Sequence, residues 1–136
     1  MPLETMMRRE SGIVYAFAAA SDGAMLHEAG DRTRLPDGDV VDTAARPESI
    51  QAFHDEVCRY REEDSRLVPR MYAQGRTKGV IDSPVPGVVV FAFGIVPEDV
   101  DSRGSVERVS WSLEFRKRVK SAMDSAYAAT DAPLAR

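Results

Sequence analysis

Residues 13–30 read IVYAFAAASDGAMLHEAG, and the interruption in the middle decides the fold. Ile13 to Ala20 is hydrophobic at every position, so neither alternating face suits water, and such a run reads as a strand buried on both sides. Ser21-Asp22-Gly23 then supplies the residue types that tolerate a tight reversal. The segment is therefore a β-hairpin. Its second arm, Ala24 to Glu28, sets Met25 and His27 on one side and Leu26 and Glu28 on the other, the mixed pattern of a shorter strand near a sheet edge.

C-terminal to the hairpin, AGDRTRLPDGDVVDTAAR (29–46) is rich in Gly, Pro and Asp and reads mostly as loop. Its acids lack the alternating ligands and closing Glu of a calcium loop. RPESIQAFHDEVCRYREED (46–64) is the clearest helix: Pro47 suits the first helical position, Glu48 the first turn, and Ile50, Phe53, Val57 and Tyr60 fall on one stripe. His54 and Cys58 lie one helical turn apart on the flank of that stripe. That spacing suits a shared metal, but no paired Cys motif accompanies it, and the two read as packing residues.

RLVPRMYAQ (66–74) reads as an edge strand because of Pro69. Gly75 to Gly79 turns the chain, Val80 and Ile81 form a brief strand, and DSPVPG (82–87) turns it again. VVVFAFGIV (88–96) is the most apolar segment and the candidate central strand, followed by a polar loop, PEDVDSRGS (97–105). In the last segment Val109, Trp111, Leu113 and Phe115 alternate as in a strand, while Trp111, Phe115, Val119, Ala122, Met123 and Ala126 stack at helical spacing. The downstream part is plainly helical with no breaker before it, so the reading is a helix from about Val106 or Val109 to Ala128. Its apolar arc is wider than burial on one sheet requires, which calls for a second contact.

Composition bounds the rest. A chain of 136 residues with 43% hydrophobic and 29% charged residues suits one globular domain, 1–136, with flexible ends at 1–10 and 130–136. The start is too polar for a signal peptide, no run is long enough to span a bilayer, and Cys58 is the single cysteine, so the expected compartment is the cytoplasm. The first 64 residues are rich in acids and the remainder in bases, but the net charge of −4 argues against nucleic-acid binding. RKRVK (116–120) reads as a solvated face. No GxSxG elbow or phosphate-binding glycine loop is present; the chain reads as a non-enzyme with no catalytic residues, no metal and no cofactor.

Assembled, the order is hairpin, helix, three strands, helix: an α+β fold with an antiparallel sheet of about five strands and helices packed on it. VYAFAAASDGAMLHEAG (14–30) as the opening hairpin, VVVFAFG (88–94) as the late central strand and VSWSLEFRKRVKSAM (109–123) as the closing helix resemble the roadblock family, related to dynein light chains. That resemblance implies a homodimeric interaction or regulatory module, a bacterial partner or scaffold of a small Ras-like GTPase. The chain departs from the family pattern in its charged middle helix, with Asp55, Glu56, Arg59, Arg61, Glu62 and Glu63, where the family is Ala-rich and dimerises. The sequence places the assembly surface on the last helix, anchored by Trp111, Phe115, Val119 and Met123. The alternative is a profilin-like sensory domain holding a small molecule between sheet and helix, against Phe53, Val57, Phe91 and Phe93.

Overall fold

The alternation of large and small side chains along two strands sets the architecture. The computed structural model describes residues 2–134, with side chains through Ala128. Strands β1 (Ile13–Ala20), β2 (Met25–Gly30), β3 (Arg70–Gln74), β4 (Thr77–Val85) and β5 (Val88–Ile95) form one antiparallel sheet in the order β2-β1-β5-β4-β3. The α+β class read from the sequence is the observed one, and VVVFAFGIV supplies the central strand. In β1 and β5, Phe17, Phe91 and Phe93 point to one face, and Ala16, Ala18, Val90 and Ala92 to the other.

Helix α3 (Pro47–Glu63) covers the aromatic face, burying Ile50 and Val57 against it with Phe53 and Tyr60 half-buried. Phe17 stacks on Phe91 with ring centroids 4.5 Å apart, and Phe53 meets Phe91 edge-on at 5.5 Å. The hairpin turn rests on the start of α3: Gly23 has φ 102, and a Cβ there would lie 2.8 Å from the Pro47 backbone, so only glycine fits. Gln51 Nε2 donates to the Asp22 carbonyl at 2.6 Å.

Helix α5 (Ser105–Leu134) covers the small-residue face, with Phe115, Val119 and Met123 fully buried. Phe115 sits so close to β5 that a Cβ on Gly94 would lie 2.4 Å from its ring. The ambiguous Val109–Phe115 segment is thus helical. The second contact that its wide apolar arc demands comes from the same chain: α1 (Pro2–Arg9) packs on α5, with Leu3 and Met6 buried in the same cluster as Phe115 and Met123.

Several expectations are corrected. Residues 2–9 are a packed helix rather than a loose end, because Leu3 and Met6 cover α5. At the other end, 130–134 continue α5 and 135–136 lie outside the described residues. The 29–46 loop contains α2 (Asp39–Ala44), which buries Val40, Val41 and Ala44 on the aromatic side. One Asp of that loop serves the fold directly: Asp37 accepts from the Arg76 and Thr77 amides at 3.0 and 3.3 Å, fastening the β3–β4 turn. Strand β3 begins only after Pro69, since residues 65–67 form a 3-10 turn capped by Asp64. The brief strand at Val80 is the nine-residue β4, which runs through Asp82-Ser83-Pro84 with an irregularity in its pairing to β5. The 97–105 loop contains a single-turn helix, α4 (Glu98–Asp101).

Candidate interaction surface

An α-helix longer than the layer it covers exposes whatever its overhanging turns carry. The first turns of α5 carry Val106, Val109 and Leu113 at the i, i+3, i+7 spacing of a single stripe. They are 78%, 57% and 47% exposed. On the opposite side of the helix from the stripe, Trp111 is half-buried and stacks on Phe115 with ring centroids 5.0 Å apart and planes 16° apart. Among the described residues, the other exposed large apolar side chains are Leu67, in the 3-10 turn before β3, and Met25 and Leu26 on β2, an edge of the sheet.

This placement revises the sequence-derived interface. Phe115, Val119 and Met123 are buried within one chain, against β5, β4 and α1, and none offers area to a partner. Trp111 alone of the four reaches the surface, and it does so sideways, with one ring face spent on Phe115. The stripe that is exposed lies on the other side of the same helix. Its signal was in the sequence: Val106, Val109 and Leu113 lie on the edge of the apolar arc that the sheet cannot reach.

The four residues of the alternative pocket do come together, as packing. Val57, Phe91 and Phe93 are fully buried, and the Phe53 ring meets those of Phe91 and Tyr72 edge-on, both at 5.5 Å. Their side chains fill the space between the sheet and α3.

Three grooves on the surface are lined by other residues. One, of about 350 Å³, holds His54, Cys58 and Arg61 beside the β4–β5 turn at Pro84–Gly87. Cys58 Sγ is 3.7 Å from His54 Nε2, within sulfur hydrogen-bond distance, and His54 Nδ1 is 3.5 Å from the exposed Asp55 carboxylate. Among the described residues no three His, Cys, Asp or Glu side chains converge to hold a metal ion. A second groove, of about 320 Å³, lies between Arg9 and Glu10 and the helix residues Arg118, Ser121, Ala122 and Ser125. The third, of about 310 Å³, lies between the start of β3 and α5.

One buried charge ties the layers together. Asp82 on β4 is fully buried; its Oδ1 accepts from Arg61 Nη2 of α3 and from the Ser83 amide at 2.7 Å, and Lys120 Nζ of α5 lies 3.9 Å from Oδ2. Arg61 also donates to the Ser83 carbonyl at 2.8 Å. Strand β3 pairs with β4 only as far as Ile81, so Arg61 passes the open edge that follows. The carboxylate thus joins the two helical layers through the sheet.

With this geometry established, the chain can be set beside known proteins. No family model matches it, and no curated protein does. Among solved structures, it is similar to the gliding protein MglB from Thermus thermophilus, at 15% identity and a TM-score of 0.47, covering 92% of this chain and 84% of that one. It is similar to Myxococcus xanthus MglB, at 10% identity and a TM-score of 0.46, covering 91% and 89%. A roadblock/LC7 domain from Streptomyces avermitilis aligns at 12% identity and a TM-score of 0.46, covering 87% and 88%.

Two buried tyrosines have raised phenols. Tyr15 donates its hydroxyl to Glu28 at 2.8 Å, and burial together with that carboxylate pushes its phenol well above the ordinary range. Burial alone pushes Tyr127 up to about 12. Among the described residues no helix is long and apolar enough to cross a membrane.

Proposed function

We propose that this chain is a non-enzymatic, homodimeric interaction module that regulates or scaffolds a switch protein, a small Ras-like GTPase being the partner implied by its sequence. The observation that supports the reading is the exposed stripe Val106, Val109 and Leu113 on a helix whose Phe115, Val119 and Met123 are already buried by the sheet and α1. Three aligned aliphatic side chains left in water favour association, since each buried methylene contributes about 0.8 kcal/mol. The occupant is a second copy: a stripe on one straight helix can lie against itself about a two-fold axis, the commonest route to a closed dimer. Catalysis has no part in the proposal.

The GTPase half of the proposal has its own test. The full chain would be mixed with a Ras-like GTPase from its own genome, loaded in turn with GDP and with a non-hydrolysable GTP analogue. Co-elution that depends on the nucleotide is expected; equal failure with both states contradicts this partner and leaves the dimer untouched.

A further inference from the structure

We propose that the groove between the start of β3 and α5 binds an acidic segment of a partner protein, seated by one apolar anchor residue. The proposal rests on the interaction-module reading in taking a protein as the ligand, and it shares one residue, Leu113, with the exposed α5 stripe. The floor is apolar, made by Val68, Pro69 and the exposed flank of Leu113; the rim is Arg66, Arg116, Lys117 and Lys120. Four cations and no acid line this groove, in a chain whose net charge is −4. Such local convergence against the overall sign focuses the field on an anionic ligand.

The cations are positioned but not consumed. Arg116 Nη2 donates to the Arg66 carbonyl at 2.9 Å, which bridges α5 to the 3-10 turn, and it has no carboxylate partner among the described residues. The Arg66 guanidinium lies on Asp64, with contacts from 2.8 to 3.1 Å. Lys117 Nζ is 3.3 Å from Glu114, an exposed pair within α5, while Lys120 Nζ is 3.2 Å from Asp124 and 3.9 Å from the buried Asp82. Exposed ion pairs such as those of Arg66 and Lys117 are weak, so an incoming carboxylate replaces them at little cost. At about 310 Å³ the groove stands at the small end of sites that enclose a metabolite. It suits a single bulky side chain with acids on either side. A bare phosphate gains nothing from the Leu113 floor, and a nucleic acid is opposed by the net charge.

Fluorescence anisotropy on the full chain tests this with a short labelled peptide of Glu and Asp around one central Leu. Two controls accompany it: the same peptide with Ala for Leu, and one with Lys for every acid. The expected order is tightest binding for the Leu peptide, roughly tenfold weaker for the Ala peptide, and none for the Lys peptide. The double variant Arg116→Glu/Lys117→Glu should lose at least roughly tenfold in affinity while sedimenting as wild type and keeping its circular dichroism, and Arg116→Lys should retain binding. Unchanged affinity in the double variant, or equal binding of the Lys peptide, overturns the proposal. So does loss of self-association in that variant, which would seat a second copy in the groove, or a preference for phosphatidylserine vesicles over the peptide. Failure of the dimer reading is separate: it appears in Val109→Asp, which leaves the groove intact.

Discussion

On the α3 face of the sheet the bulk belongs to the strands: Phe17, Phe91 and Phe93 stand up from β1 and β5, and the helix adds Ile50 and Val57. On the α5 face the strands offer Ala16, Ala18 and Ala92, and the helix brings Phe115, Val119 and Met123 down to them. The difference has a structural consequence. Strand-borne aromatics are covered by a helix of ordinary length with help from α2. Helix-borne bulk makes the helix apolar over a wide arc, which the sheet beneath and α1 alongside cover, while its first turns leave Val106, Val109 and Leu113 exposed.

The largest expected effect comes from removing the centre of each face. Phe91→Ala and Phe115→Ala should each cost about 3–5 kcal/mol in denaturant unfolding, because both side chains are fully buried. A markedly smaller loss for Phe115→Ala would mean that α5 is not held by its own aromatic, and the contrast between the faces would fail. Next in size is Arg61→Ala, which strips the buried Asp82 of its guanidinium while leaving Lys120 at 3.9 Å. Its cost should be about 1.5–3 kcal/mol, the scale of a hydrogen bond to a charged group. A neutral result would show that the two layers are not joined through Asp82.

The smallest effect is in pH dependence, and here the two faces should behave alike. Tyr15 belongs to the α3-face core and Tyr127 to the α5-face core, and both phenols are raised, chiefly by burial. A folded-state value above the ordinary tyrosine value near 10 means that the neutral phenol is the form the fold accepts. The stabilisation is whole below about pH 10 and is lost as pH rises toward 12. Unfolding free energy should therefore decline across that window, and Tyr15→Phe or Tyr127→Phe should each flatten the decline. A variant that follows the wild-type curve would show that its hydroxyl ionises freely.

The hairpin, α3 and β5 were legible because their signals are local: a turn tripeptide, a 3.6-residue stripe and an unbroken apolar run. Helix α2 was not, because six residues between Gly38 and Ala45 are too few to display a period, and Val40 and Val41 sit among aspartates. The second half of β4 was hidden for another reason. Asp82, Ser83 and Pro84 are turn residues by type, yet Asp82 is paired with Arg61, and Ser83 Oγ lies 2.6 Å from the Val88 carbonyl and 3.1 Å from that of Val85, which share its one proton. The Arg61 partner lies outside any local window. The same limit applies to α5. A helical wheel shows that the arc of α5 is too wide for a sheet, but not that α1 covers Met123 while Val109 stays bare. RKRVK likewise read as a solvated face until Arg66 and Pro69 closed the other wall of its groove.

Sedimentation velocity of the full chain and of Val109→Asp addresses most directly the claim that the fold is complete in one chain and the α5 stripe lies against a second copy. Val109 is exposed in the single chain, so the substitution should change its unfolding free energy by no more than about 0.5 kcal/mol. The account predicts a dimer at tens of micromolar for the wild-type chain and a folded monomer for the variant. A wild-type monomer at that concentration, or a variant that remains fully dimeric, would contradict it.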